Sequence, residues 1–371
     1  MSKGRILITG GAGFIGSHVA HELLERGYRV RALDTLISQV HPSSASPTYL
    51  APDVELSVGD VRDPHAVRRA LIDVDRVIHL AARVGVGQSM YEIGEYVSVN
   101  SLGTATLLQA LLDRPVEQIV VASSMSVYGE GMYTDADGRP AVAPERNREQ
   151  LAAQHWEPRG AEGRALTPVP TPETKPPSLA SIYALNKFEQ ERSTLLFGQA
   201  YEIPTVALRF FNVYGPNQAL SNPYTGVLAI FASRLLNDKP PMIFEDGRQR
   251  RDFVSVSDVA TACALVLEHT ELASEVINVG SGTSVSVSEI ARRLARILGK
   301  DIEPEVTGEC RLGDIRHCFA DVGKARTLLG FEPAVCLEDG MRELAEWLEG
   351  QVADDLVDRA RAELRQRGLT V

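Results

Sequence analysis
The sequence predicts an α/β fold: a doubly wound parallel sheet followed by a smaller C-terminal α+β lobe. Three observations lead there. Short β-branched runs alternate with helical patterns through the first half of the chain. Glycines cluster where the first run meets the first helix. Beyond about residue 220 the alternation loosens. Parallel strands need a long crossover between them, and the helical patterns supply it.

"RILITG" reads as a buried strand, and Phe14 to Arg26 as a helix stopped at Gly27. "YRVRAL" is a second strand closing at Asp34, and "VELSV", "DRVIHLAA" and "EQIVVASS" repeat the design. From Gly129 to Pro177 the pattern breaks, with eight prolines and no sustained period. A loop that long is usually functional or mobile. Because this one joins the fifth strand to the next helix, it is expected to fold over a site or its rim as a lid, with Trp156 pinning it to the body. The alternation resumes at "TVALRFFNVYG". A helix near Val227–Asn237, strands around "DFVSV" and "EVINVG", and helices from Ser286 and Gly323 form the second lobe. Met341 to Gly368 is a charged amphipathic helical pattern. The expected domains are 1–215 with the insertion 129–177, then 216–350 with some chain interchange, then a helical tail, 351–371.

The 371 residues, 44% hydrophobic and 23% charged, suit a soluble globular protein of about two domains. A net charge of −11 argues against a nucleic-acid binder or a membrane-surface protein, so an anionic ligand would need locally placed arginines. Cys263, Cys310, Cys318 and Cys336 form no Cys-x-x-Cys pair and read as inert thiols of a reducing compartment; no metal is expected. No apolar run reaches the length of a membrane span, and "MSKGRILITGG" carries no signal-peptide pattern, so a cytoplasmic location is expected.

"TGGAGFIG", Thr9 to Gly16, sits at the first strand–helix junction. Gly10, Gly13 and Gly16 suit a tight turn, close approach of backbone to a pyrophosphate, and close helix–strand packing. The helix N-terminus offers its N–H groups and positive dipole end to phosphate. Asp34, 18 residues past Gly16, is placed to accept both ribose hydroxyls and to repel a 2′-phosphate, which favours NAD over NADP. The sheet is therefore Rossmann-like. Phe14 and Ile15 complete this cofactor loop. Asp60 and Val61 in "GDVRD" suit the adenine, although Asp60 reads equally well as a helix N-cap ahead of Pro64. "SIYALNKFEQE" places Tyr183 and Lys187 on one helical face, which by itself is a common accident.

The ordered set "TGGAGFIG", "HLAA", "VN", "ASSMSVYG", "YALNK", "RFFNVYGP" and "RRDFVSVSDVA" resembles the extended short-chain dehydrogenase/reductase family, and within it the nucleotide-sugar epimerases and dehydratases. The resemblance implies that Tyr183 is a general base, that Ser124 bonds the reacting sugar oxygen, and that Lys187 binds the nicotinamide ribose and lowers the tyrosine pKa together with NAD+. It further implies cofactor contacts from Leu80, Ala81, Ala82, Asn100 and Ser123, and substrate-phosphate contacts from Asn212, Arg251 and Arg311. A homodimer through the helix after Tyr91 and the helix containing Tyr183 is also implied.

The dehydratases carry an Asp-Glu pair after the hydroxyl residue, and the decarboxylating relatives a Glu; this chain has Met125 and Ser126. The resemblance therefore implies C4 epimerisation of a nucleotide sugar. "QALSNPYTGVLAIFASRLLN" and the proline-rich insertion are similar to those of bacterial dTDP-L-rhamnose 4-epimerases, which implies dTDP-L-rhamnose as substrate and dTDP-6-deoxy-L-talose as product. UDP-glucose or UDP-N-acetylglucosamine 4-epimerisation, 4-keto-sugar reduction, and a non-catalytic NAD-binding scaffold are the alternatives.

Overall fold
Arg5–Thr9 (β1), Arg29–Asp34 (β2), Glu55–Val58 (β3), Arg76–His79 (β4) and Gln118–Ser124 (β5) form strands where short β-branched runs predicted them. In the computed structural model, which describes residues 3–41, 46–160, 163–224 and 226–371, these join two later strands in one parallel sheet. Its order is Glu275–Val279, Thr205–Phe210, β5, β4, β1, β2, β3. Side chains alternate across β1: Ile6 and Ile8 face one core with Val19, Leu23 and Val259, while Leu7 faces the other with Val77 and Leu107. Both faces are thus buried, as a parallel sheet requires. The order reverses beside β1, which pairs with β2 on one side and β4 on the other. Ligands of open α/β sheets bind at the strand C-termini beside such a reversal.

The chain interchange is substantial. Glu275–Val279 lies beyond residue 215 yet adds to the main sheet, and Val256–Glu268 packs on the helix Phe14–Glu25 (α1). The second lobe gathers Val227–Leu236, Val287–Ile297 and Leu337–Leu348 around Phe231, Ile290, Leu294 and Leu344. Thr225, in the stretch compared with rhamnose epimerases, lies outside the described residues.

Two expectations need correction. The insertion does not cover the cavity described below: among the described residues of 129–177, none lines it. Instead Met132–Thr134 pairs antiparallel with Pro140–Val142 and Thr167–Val169, and this small sheet braces the segment 310–321. Gly131 N donates to His317 O at 2.7 Å, Thr171 N to Phe319 O at 2.8 Å, and Trp156 is buried with Leu151 and Cys310. The physical reason is charge. Arg316 is fully buried and meets Glu157, Glu245 (2.8 Å) and Asp246 (2.6 Å); Arg146 meets Glu130 (3.3 Å) and Glu245 (2.7 Å). Buried charges persist only when paired, and the insertion supplies partners.

The single helical pattern from Met341 to Gly368 is two helices, Leu337–Leu348 and Val357–Gln366. The chain breaks between them at Gly350, which takes φ +80°. Glycine adopts that left-handed conformation without steric cost.

Candidate active site
At the C-terminal ends of β1, β2, β4 and β5 lies a cavity of about 630 Å³, within the size range of small-molecule sites. Gly10, Gly13, Phe14, Ile15 and Gly16 line it at the start of α1. Gly10 has φ +71°, and a Cβ there would press on Ala81 N at 2.9 Å. A Cβ on Gly16 would meet Gly10 O at 2.3 Å, so this glycine permits the helix to sit on the turn. At Gly13 the nearest atom to such a carbon is 3.4 Å away. No packing within the chain demands a glycine there, which leaves room for a ligand to approach the backbone. Gly13 is also the helix N-cap, with no capping side chain and no acidic residue in the first turn. That is an anion-ready terminus.

Asp34 lines the cavity at the end of β2; its carboxylate accepts from Ala12 N (3.1 Å) and Leu36 N (3.0 Å). Burial, with Asp34 adding to it, pushes the nearby Tyr49 phenol up to about 12. Val61, Leu80, Ala81 and Ala82 line the cavity as expected. Asp60 does too, but it is not the helix N-cap: Asp63 is the N-cap of Pro64–Ala70, and Asp60 accepts from Arg62 N at 2.8 Å and pairs with the Arg62 guanidinium at 2.6 Å.

Two residues expected to touch the cofactor are engaged by other side chains and backbone of the chain. Asn100 does not line the cavity; it is fully buried, accepts from Arg83 N (2.7 Å) and donates to Arg83 O (3.1 Å), and so fixes the loop that does. Ser123 lines the cavity, but its hydroxyl donates to Glu191 at 2.6 Å, and Glu191 in turn holds Arg209 through two bonds of 2.7 and 2.9 Å. A buried carboxylate needs such partners, so the hydroxyl is already committed.

Ser124, Tyr183 and Lys187 all line the cavity. Ser181 caps the helix Ile182–Ala200 by accepting from Ala184 N, and Tyr183 N donates to Ser89 Oγ at 3.1 Å. Ser124 Oγ accepts from Ser126 N at 3.2 Å and Ser126 Oγ at 3.0 Å. Burial pushes the Tyr183 phenol up to about 12, and a hydrogen bond with Ser124 lowers it only part of the way. Lys187 is equally enclosed: burial pulls its ammonium down to about 7 despite the opposing Glu191. Its Nζ donates to Gln190 Oε1 at 2.9 Å. The expected lowering of the phenol by Lys187 is therefore not supplied by this chain alone, because desolvation weakens the very charge that would do it.

Gln190, three residues beyond Lys187 and thus on the same helical face, escaped the sequence reading. Its amide also donates to Thr104 at 2.9 Å, tying the lysine to a buried His79–Thr9 pair.

Asn212, Arg251 and Arg311 all line the same cavity. Arg251 donates to Arg250 O (3.0 Å), Arg316 O (2.9 Å) and Ile315 O; Arg311 pairs with Asp314 at 2.8 Å and lies 4.7 Å from the Phe244 ring centroid. Several buried polar atoms with no partner among the described residues belong to cavity-lining residues: Asn212 Oδ1, Gln218 Oε1, Gln249 Oε1 and Arg83 Nε. The arrangement fits a dinucleotide on the sheet side and a phosphorylated ligand against the arginines. The lining also includes Val357, Ala360, Arg361 and Leu364 of the tail, which no reading of the sequence assigned to a site. Among the described residues no helix is long and apolar enough to cross a membrane.

A family model described as "NAD dependent epimerase/dehydratase family" matches residues 6–280. A dTDP-L-rhamnose 4-epimerase of Burkholderia thailandensis is 38% identical over 349 residues, 93% of this chain and 94% of that protein. Among solved structures, UDP-glucose 4-epimerase of Thermotoga maritima with UDP-glucose aligns with TM-score 0.76 and 32% identity, covering 93% of this chain and 99% of that one. UDP-glucose 4-epimerase of Thermus thermophilus in complex with NAD gives TM-score 0.74 and 32% identity, covering 94% and 100%.

Proposed function
Because the chain belongs to the NAD dependent epimerase/dehydratase family, we propose that this enzyme of the nucleotide-sugar epimerase type inverts C4 of a nucleotide sugar, with dTDP-L-rhamnose as substrate and dTDP-6-deoxy-L-talose as product. One observation carries the choice of substrate: the likeness to the rhamnose epimerase, at 38% identity, runs nearly end to end in both chains. The positions after Ser124 support epimerisation over dehydration, since Met125 and Ser126 line the cavity and neither can move the protons of water loss at neutral pH. UDP-sugar epimerisation is the second reading, favoured by the 32% identity to the UDP-glucose enzymes.

When bound, NAD supplies the exchange of hydride at C4 and, through its positive nicotinamide, the charge that lowers the Tyr183 phenol. Gly10, Gly13, Gly16 and Asp34 would hold it. Tyr183 accepts the proton of the C4 hydroxyl and returns it once the 4-keto sugar has turned, and Ser124 hydrogen-bonds the same oxygen. Lys187, held by Gln190, serves the ribose. The sugar must turn while the nucleotide stays fixed, and Arg251 and Arg311, held in place by the Ile315 and Arg316 carbonyls and by Asp314, set positive charge at the cavity wall for the phosphates.

A homodimer accompanies this reading. Val97 (42% exposed), Leu102 (55%), Leu185 (46%) and Leu196 (54%) lie on the two segments assigned to the interface, and covering them would remove apolar surface from water. Incubation with dTDP-, UDP- and GDP-sugars followed by product NMR tests the function: dTDP-6-deoxy-L-talose is expected. Turnover of UDP-sugars alone would favour the second reading, and a panel returned unchanged would overturn both.

A further inference from the structure
Residues 351–371 lie outside the family model's match, yet they wall the cavity. Val357, Ala360, Arg361 and Leu364 are spaced i, i+3, i+4, i+7, which sets them on one face of the helix Val357–Gln366. Arg361 is already engaged, by Glu309 at 2.7 Å and Glu305 at 3.7 Å. What remains of that face is apolar.

This face borders a loop that is tied to the helix carrying Tyr183. A carbon placed on Gly87 would meet Leu364 Cδ2 at 3.4 Å, so the helix rests against the loop Val84–Gly87, which also lines the cavity. Two residues on, Ser89 accepts from Tyr183 N at 3.1 Å. The helix is also firmly docked. Glu363 Oε2 accepts from the Tyr91 and Tyr224 hydroxyls, each at 3.1 Å. The Arg367 guanidinium lies 4.3 Å from the Tyr91 ring centroid. Cys310 and Val371 exchange both backbone hydrogen bonds at 2.9 Å, which joins the end of the tail to the residue before Arg311.

We infer that this helix is a specificity wall: Ala360 and Leu364, with Val84 and Val86, receive an apolar edge of the bound sugar and so select a deoxy sugar over its hydroxylated counterpart. The inference rests on the cavity holding a nucleotide sugar, as proposed above. A hydroxyl set against these side chains finds no partner, whereas a methyl group is removed from water there. Hydrophobic pockets discriminate by about tenfold to a few hundredfold on such grounds.

The test is binding, which needs no turnover. Dissociation constants of the NAD-loaded enzyme for dTDP-L-rhamnose, for its 6-hydroxy analogue dTDP-L-mannose and for dTDP alone are measured by calorimetry. Wild type is expected to prefer the 6-deoxy sugar by about tenfold or more. Leu364→Asn should erase most of that preference and leave dTDP binding unchanged. Ala360→Leu, which narrows the cavity without adding a polar group, should weaken both sugar nucleotides and spare dTDP; it carries the test if Leu364→Asn does not fold. No wild-type preference, no change in the variants, or an equal loss for all three ligands would overturn the wall. Sugar bound with the expected preference but never converted would overturn the epimerase reading and leave the wall standing.

Discussion
Lys187 Nζ donates to Gln190 Oε1 at 2.9 Å in a fully enclosed setting, and the same Gln190 donates to Thr104. The lysine is thus aimed by a neutral amide and not by a carboxylate. Gln190→Leu keeps the volume but removes the acceptor, so it should weaken NAD binding and lower kcat by about tenfold, the scale of a lost hydrogen bond to a charged group. Gln190→Glu should restore the bond; failure of both variants alike would mean that the residue only packs.

Tyr183→Phe should keep the ring's packing and bound NAD while lowering kcat by about 10² to 10⁴, the usual contribution of a general base. Ser124→Ala should cost less, because Tyr183 can still accept the proton. Activity of the Phe variant within about tenfold of wild type would remove Tyr183 from the mechanism.

Lys187 also predicts a pH-dependent stability in the cofactor-free protein. Its pKa is about 7 when folded, against 10.5 as the reference value. Between those values the unfolded chain holds a proton that the folded one has released, so its contribution to stability rises with pH across that window. Below pH 7 both states are protonated and the burial penalty is complete. Lys187→Met should therefore raise Tm over wild type most at pH 6, and the gap should narrow by pH 9. A gap independent of pH would mean that the folded lysine titrates normally.

Asp34 accepts from Ala12 N of the glycine turn and from Leu36 N just past β2, and it lines the cavity. Asp34→Ala should weaken NAD, relax the discrimination against NADP, and shift the ratio of the two dissociation constants towards unity. An unchanged ratio would assign the ribose reading to another residue.

Glu245 is 1% exposed and pairs with both Arg146 and Arg316. Removing it strands buried charge, and Glu245→Ala should lower unfolding stability by about 3–5 kcal/mol. Arg251 hangs on the carbonyls of Ile315 and Arg316, so the substrate KM should rise as well. Wild-type stability in chemical denaturation would show that the insertion's charge network is not a structural tie.

The local code of the chain determined the parallel sheet, the glycine turn, Asp34 at the end of β2, and the Tyr183–Lys187 pair on one helix. These depend on short-range rules: side-chain periodicity, a turn that only glycine fits, and i,i+4 neighbours. Gln190 was equally local and could have been read from its spacing. The tertiary structure decided what depends on distant partners. Only packing shows that Asn100 grips Arg83 and that Ser123 is taken by Glu191. The insertion looked like a lid because both its ends flank the site, yet the partners demanded by buried Arg146 and Arg316 draw it against 310–321. The tail reads as a charged amphipathic helical pattern, with nothing to say what its apolar face meets. Salt bridges to Glu309 and hydroxyls from Tyr91 and Tyr224 turn its narrow apolar face into the cavity, and no periodicity in the sequence encodes the partners that do so.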